Sequence, residues 1–82
     1  MKLFELWPIH PTKGAWDPWY DTACGFVVRA ETEEAARCLA DAKGGDETSQ
    51  IRHPWLDPGQ SKCEELLAEG EAEVILRHFD AA

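Results

Sequence analysis

Residues 20–39, YDTACGFVVRAETEEAARCL, constrain this chain more than any other stretch, because they read as a strand running directly into a helix. Cys24, Phe26 and Val28 alternate with Gly25, Val27 and Arg29, the two-residue period of a strand with one buried face. Phe and Val suit a pleated surface. Ala30-Glu31-Thr32 then turns the chain, and the Thr32 hydroxyl is placed to accept from an unpaired amide of the first helical turn. Glu33 and Glu34 fall in that turn, where the helix dipole favours negative charge. Ala35, Ala36, Leu39 and Ala42 recur at helical spacing, with Cys38 beside them, and Gly44-Gly45 ends the helix. Glu33, Glu34, Arg37, Asp41 and Lys43 are expected on its exposed side, with Glu33 and Arg37 as an i,i+4 pair. A strand joined to a helix sets an α+β class but names no chemistry.

The rest of the chain is read around that unit. Residues 2–7 form a first strand, with Phe4 and Leu6 facing one way, Leu3, Glu5 and Trp7 the other, and Pro8 ending it. Residues 8–19 hold three prolines and a glycine and are expected to be a loop carrying Trp16 and Trp19. Two readings of those rings stand side by side. They cover the sheet face that a single helix leaves bare, or they anchor a partner, since Trp is enriched at interface hot spots. Residues 44–61 are a second irregular segment, with Ile51 and Trp55 as its anchors to the core and Asp57-Pro58-Gly59 as a turn. Residues 62–67 are ambiguous. Ser61-Lys62-Cys63-Glu64 fits a capping box before a short helix, and a strand with Leu66 inward is the rival. Residues 72–79 read as a strand around Val74-Ile75-Leu76, preceded by Glu69, Glu71 and Glu73.

With 82 residues the chain is expected to be one domain, spanning 1–82. Such a chain buries only about 60–65% of its unfolded surface, so it builds one small core. No apolar run reaches membrane-spanning length, and Met1-Lys2 leads into a strand rather than a signal peptide, so a bacterial cytoplasm is the expected location. The three cysteines, Cys24, Cys38 and Cys63, are widely spaced and odd in number, which argues for small core residues rather than a disulfide framework. The isolated His10, His53 and His78 give no metal-ligand pair, and no cofactor is expected.

No Gly-rich phosphate loop or nucleophile elbow is present. Close carboxylate pairs arise by chance among sixteen acids and carry little weight for acid–base catalysis. A Cys–His pair such as Cys24 with His78 is the one enzymatic option, and the chain is expected not to be an enzyme. The formal net charge of −8 disfavours direct binding to DNA or RNA, whose partners carry basic faces. It serves solubility, or it meets a basic protein surface, including one built to hold nucleic acid.

Several pieces in order resemble a family of small phage and prophage proteins. They are Lys2-Leu3; Tyr20-Asp21-Thr22; Phe26-Val27-Val28-Arg29-Ala30-Glu31 with Glu33-Glu34-Ala35-Ala36-Arg37; Trp55 and Pro58 before Lys62-Cys63-Glu64-Glu65-Leu66; and Val74-Ile75-Leu76 with Phe79. The Trp- and Pro-rich loop departs from that pattern, as does the missing H-P-x-G after the helix, for which His53-Pro54 is a displaced counterpart. The resemblance implies that 62–67 is a strand, so the expected fold is β-β-α-β-β, an antiparallel sheet with one helix on one face. The chain is also similar in character to anti-CRISPR proteins, some of which inhibit type I surveillance complexes. That likeness implies an inhibitor of such a complex, with type I-C as the suspected target. It would dock at the basic surface that receives target DNA. The expected contacts are Asp17, Asp21, Glu31, Glu33, Glu34, Asp41, Asp46 and Glu47, with Trp16 or Trp19 as anchor. The rival reading is a phage accessory or structural module, dimeric through a sheet edge; oligomeric state is left open.

Overall fold

The sheet is built outward from its first strand. The computed structural model describes residues 1–18 and 20–77. β1 (Lys2–Pro8) lies in the centre, flanked by β2 (Phe26–Ala30) and β3 (Ser61–Leu66), both antiparallel to it, in the order β2-β1-β3. In β1 the side chains of Phe4, Leu6 and Pro8 are buried while Leu3 is exposed and Glu5 and Trp7 are half-buried, as alternation requires. Register places Phe4 opposite Val28 and Leu6 opposite Phe26, so the apolar set of β2 joins the same face. The result is the expected small α+β fold, an antiparallel sheet with one main helix packed on one face.

α1 (Glu33–Ala42) begins as its sequence dictates. The Thr32 hydroxyl accepts from the Ala35 amide at 3.1 Å, and Glu33 and Glu34 occupy the first turn. Its buried stripe is Ala36, Arg37 and Ala40, not the one running through Leu39 and Ala42, both of which are exposed. The two alanines let the helix backbone come close to the sheet. Bulk is supplied instead by Trp16 and Trp55, packed edge to face at 5.2 Å, with Phe26 edge-on to Trp55 at 4.8 Å. Trp16 belongs to a 3-10 turn (Gly14–Trp16), and its indole N–H donates to the Ala23 carbonyl at 2.8 Å. Trp16 thus joins the core on the helix face of the sheet.

Three further expectations are corrected. Arg37 is buried rather than exposed: it donates through Nε to Glu33 (2.9 Å), through Nη1 to the Trp55 carbonyl (3.0 Å) and the Ser61 hydroxyl (2.9 Å), and through Nη2 to the Ser61 carbonyl (3.1 Å). It clamps α1 to the start of β3, and so many acceptors repay the loss of water. Cys24 and Cys38 are exposed, and only Cys63 packs against the core. Residues 71–77 form no strand and are exposed; the rest of that expected strand, 78–79, lies outside the described residues, as does Trp19. β-propensity records only how side chains suit a pleat. A hairpin return from β3 that set residue 71 opposite Leu66 would place Glu73 directly opposite Glu64, and like charges directly opposite are unfavourable.

Residues 62–66 fall in β3, with Cys63 rather than Leu66 turned toward the core, and Ser61 serves Arg37 and the Pro54 carbonyl (2.9 Å) instead of capping a helix. The 44–61 segment is less irregular than expected: it holds a one-turn α2 (Glu47–Gln50). Trp55 is fully buried, Ile51 packs on the core, and Asp57–Gly59 makes the expected turn, closed by the Gln60 amide on the Asp57 carbonyl at 2.9 Å. Among the described residues no helix is long and apolar enough to cross a membrane.

Candidate partner-binding surface

The ten expected contact residues divide by burial. Asp17, Asp21, Glu31, Glu33, Glu34 and Asp46 are exposed. Glu31 and Glu34 frame the start of α1. Its other end carries Asp41, roughly 10 Å along the axis from Glu34 at 1.5 Å per residue. The Asp46 amide donates to the Asp21 carbonyl at 2.9 Å, which ties the 20–25 loop to the segment after α1 and brings those two acids to one place. Asp21 holds a left-handed backbone (φ 60°), a conformation that Asp tolerates better than most residues. Glu33 is engaged by Arg37, and Asp41 lies 3.1 Å from His53 Nδ1. Asp17, Asp21, Glu31, Glu34 and Asp46 have no ion-pair partner among the described residues.

Two of the ten do not belong to a surface. Trp16 is 1% exposed, held by its indole hydrogen bond and by Trp55, so it is a core residue and no anchor. Glu47 is fully buried. Its Oε1 accepts from the amides of Ala23 (3.0 Å) and Gly45 (2.9 Å), and its Oε2 from the Trp55 indole N–H (2.6 Å). Three donors around one carboxylate replace its water, which is how a charge resides in a core without a cation. Gly45 is needed there: a Cβ on it would meet the Asp21 carbonyl oxygen at 2.5 Å.

Chemistry on these side chains is sparse. Among the described residues no three His, Cys, Asp or Glu side chains converge to hold a metal ion. The Cys63 thiol is pushed above its ordinary value by burial and by the nearby Glu33 charge, against a smaller opposing pull from Arg37. A thiol shifted that way is a poorer nucleophile near neutral pH. Cys24 donates weakly to the Thr22 carbonyl at 3.8 Å.

Sequence reasoning missed a second feature, on the sheet face opposite α1. There Glu5 of β1 lies directly across from Glu64 of β3, with Val27 on its other side. The alternation of β1 put Glu5 on that face, but its neighbour depends on the register of a strand sixty residues away. No family model, curated relative or solved structure matches this chain.

Proposed function

We propose that this chain is a non-enzymatic inhibitor that covers a basic, nucleic-acid-binding protein surface, and that its target is a crRNA-guided type I surveillance complex of the kind anti-CRISPR proteins block. The observation that carries this reading is a set of exposed carboxylates with no ion-pair partner among the described residues: Glu31 and Glu34 at the start of α1, Asp21 and Asp46 held together beyond its end, and Asp17 in the loop before β2. Such a set opposes compactness slightly and is favourable once opposite charge meets it. Carboxylates facing lysines and arginines would take the place of DNA phosphates and occlude the site. The anchor falls to residues other than Trp16.

The test is co-purification of a tagged type I-C surveillance complex with this protein and with a variant carrying Glu31→Gln, Glu34→Gln and Asp46→Asn. Retention of the parent chain and loss of the folded variant support the reading. Equal retention of both removes the acidic surface from the mechanism, and retention of neither removes this target. The alternative, a small phage accessory module that pairs with itself, has in its favour the outer edges of β2 and β3, which carry no further strand among the described residues. A mass that rises with concentration in light scattering, with no binding to the complex, would select it.

A further inference from the structure

Among the described residues no helix or second sheet is packed on the sheet face opposite α1, and its side chains mix exposed apolar groups with charged ones. Leu3 and Leu66 are cross-strand partners there, Trp7 follows two residues on from Glu5, and Val27 flanks Glu5 from β2. Leu3 is 40% exposed and Val27 52%. The segment at 73–77 runs alongside this face without pairing to it. Between them lies an open cleft of about 700 Å³ whose walls include Trp7, Val27, Ile75 and Leu76. It continues, through the shared residues Glu5 and Ile75, into a groove of about 380 Å³.

The two halves differ in character. The first is mainly apolar, with Arg77 at its margin. The second brings together Glu5, Glu64, Glu65, Glu69 and Glu73 beside Leu66, with no lysine or arginine in its walls; Lys2 stands 4.0 Å from Glu65, and the other four have no ion-pair partner among the described residues. Arg29 and Lys62 lie at opposite ends of the sheet face, next to Leu3 and Trp7 respectively, outside the acidic groove. Neither Glu5 nor Glu64 has an ion-pair partner among the described residues. Two carboxylates opposite one another on adjacent strands cost the free protein stability, a cost that a cation placed between them removes.

We infer that this face is a docking surface for a basic amphipathic protein segment, whose apolar side chains cover Trp7 and Val27 and whose lysines or arginines enter the groove between Glu5, Glu64 and Glu73. Charge selects this occupant. A nucleic acid or an anionic membrane surface would bring phosphates to the glutamates, and a second copy of the chain would bring the same glutamates. A helix with a basic flank buries apolar area and supplies the missing cations at once, as amphipathic helices do in other grooves. The surface is separate from the carboxylates around α1, and the inference stands whether or not the reading above survives.

The test uses the full chain and a synthetic amphipathic helix of leucine and lysine, followed by amide chemical shifts and by titration calorimetry. Shifts are expected in β1, β3, Val27 and residues 73–77, with α1 unaffected. A peptide of the same pattern with glutamate for lysine should not bind. Glu5→Gln combined with Glu64→Gln should weaken binding about tenfold, the size expected for two partly exposed charge pairs. Shifts centred on α1, equal binding of the glutamate peptide, or no binding would overturn the inference. Binding seen only after removal of residues 78–82 would also overturn it, by assigning the face to the protein's own C-terminus. Concentration-dependent shifts in the protein alone would assign it to a second copy.

Discussion

Replacing Glu47 with glutamine keeps the shape of the side chain and changes one contact. The glutamine oxygen can still accept from the amides of Ala23 and Gly45, as Glu47 Oε1 does at 3.0 and 2.9 Å. Its amide nitrogen then sits where Oε2 accepts from the Trp55 indole at 2.6 Å, and both groups there are donors. The loss is one hydrogen bond to a charged group, about 1.5–3 kcal/mol, together with an orphaned buried donor, about 1–3 kcal/mol; these overlap, so about 2–4 kcal/mol is expected. An 82-residue domain holds roughly 4–12 kcal/mol in all at ordinary stability per residue. Glu47→Gln therefore removes about a sixth of the margin at the least, and much more if the domain lies at the low end of that range. Urea unfolding followed by tryptophan fluorescence should show a lowered midpoint with an unchanged slope. Glu47→Leu orphans all three donors and should cost more than the glutamine variant. A glutamine variant within about 0.5 kcal/mol of the parent, or a leucine variant as stable as the glutamine one, would refute the claim that these three hydrogen bonds hold the loops together.

Other consequences are checked in the same way. Arg37→Met fills similar space but abandons Glu33, the Ser61 hydroxyl and two carbonyls, and should cost about 3 kcal/mol or more in the same urea assay. Leu39→Ser, on the exposed side of α1, should change stability by less than about 0.5 kcal/mol, whereas Ala40→Leu, in the tight seam against the sheet, should cost about 1–3 kcal/mol. With a disulfide reagent near neutral pH, Cys24 and Cys38 should react before Cys63. The raised Cys63 value also sets a sign: the folded state holds that proton more tightly than the unfolded chain. The stability it contributes is full below the ordinary thiol range and is lost as pH rises through the raised value. A Cys63→Ala variant should lack that alkaline decline.

What was legible in the sequence was local. The alternation of Phe4 and Leu6, that of Phe26 and Val28, and the Thr32 cap each depend on neighbours a few residues away, and each took its expected place. The helical period was legible too, but the buried stripe of α1 was not. Arg37 is inward because the Trp55 and Ser61 carbonyls, 18 and 24 residues distant, await it, and that turns Leu39 outward. Glu47 looked like one more surface acid because nothing local marks a carboxylate that three distant donors will enclose. Trp16 permitted both the core and the anchor reading, and only the position of Trp55 decides between them. The order β2-β1-β3 and the Glu5–Glu64 juxtaposition are register facts, which hydrophobic pattern constrains only through the choice of face. The run Val74–Leu76 had the composition of a strand, yet composition does not decide whether a run pairs with an open edge.

The central claim is that carboxylates around α1 displace nucleic acid from a basic surface. Its most direct measurement is target-DNA binding by a purified type I-C surveillance complex, with and without an excess of this protein, at two salt concentrations. The account predicts loss of DNA binding at low salt and weaker inhibition at high salt, because exposed charge pairs are screened. DNA binding that is unchanged by the protein at both salt concentrations would contradict it.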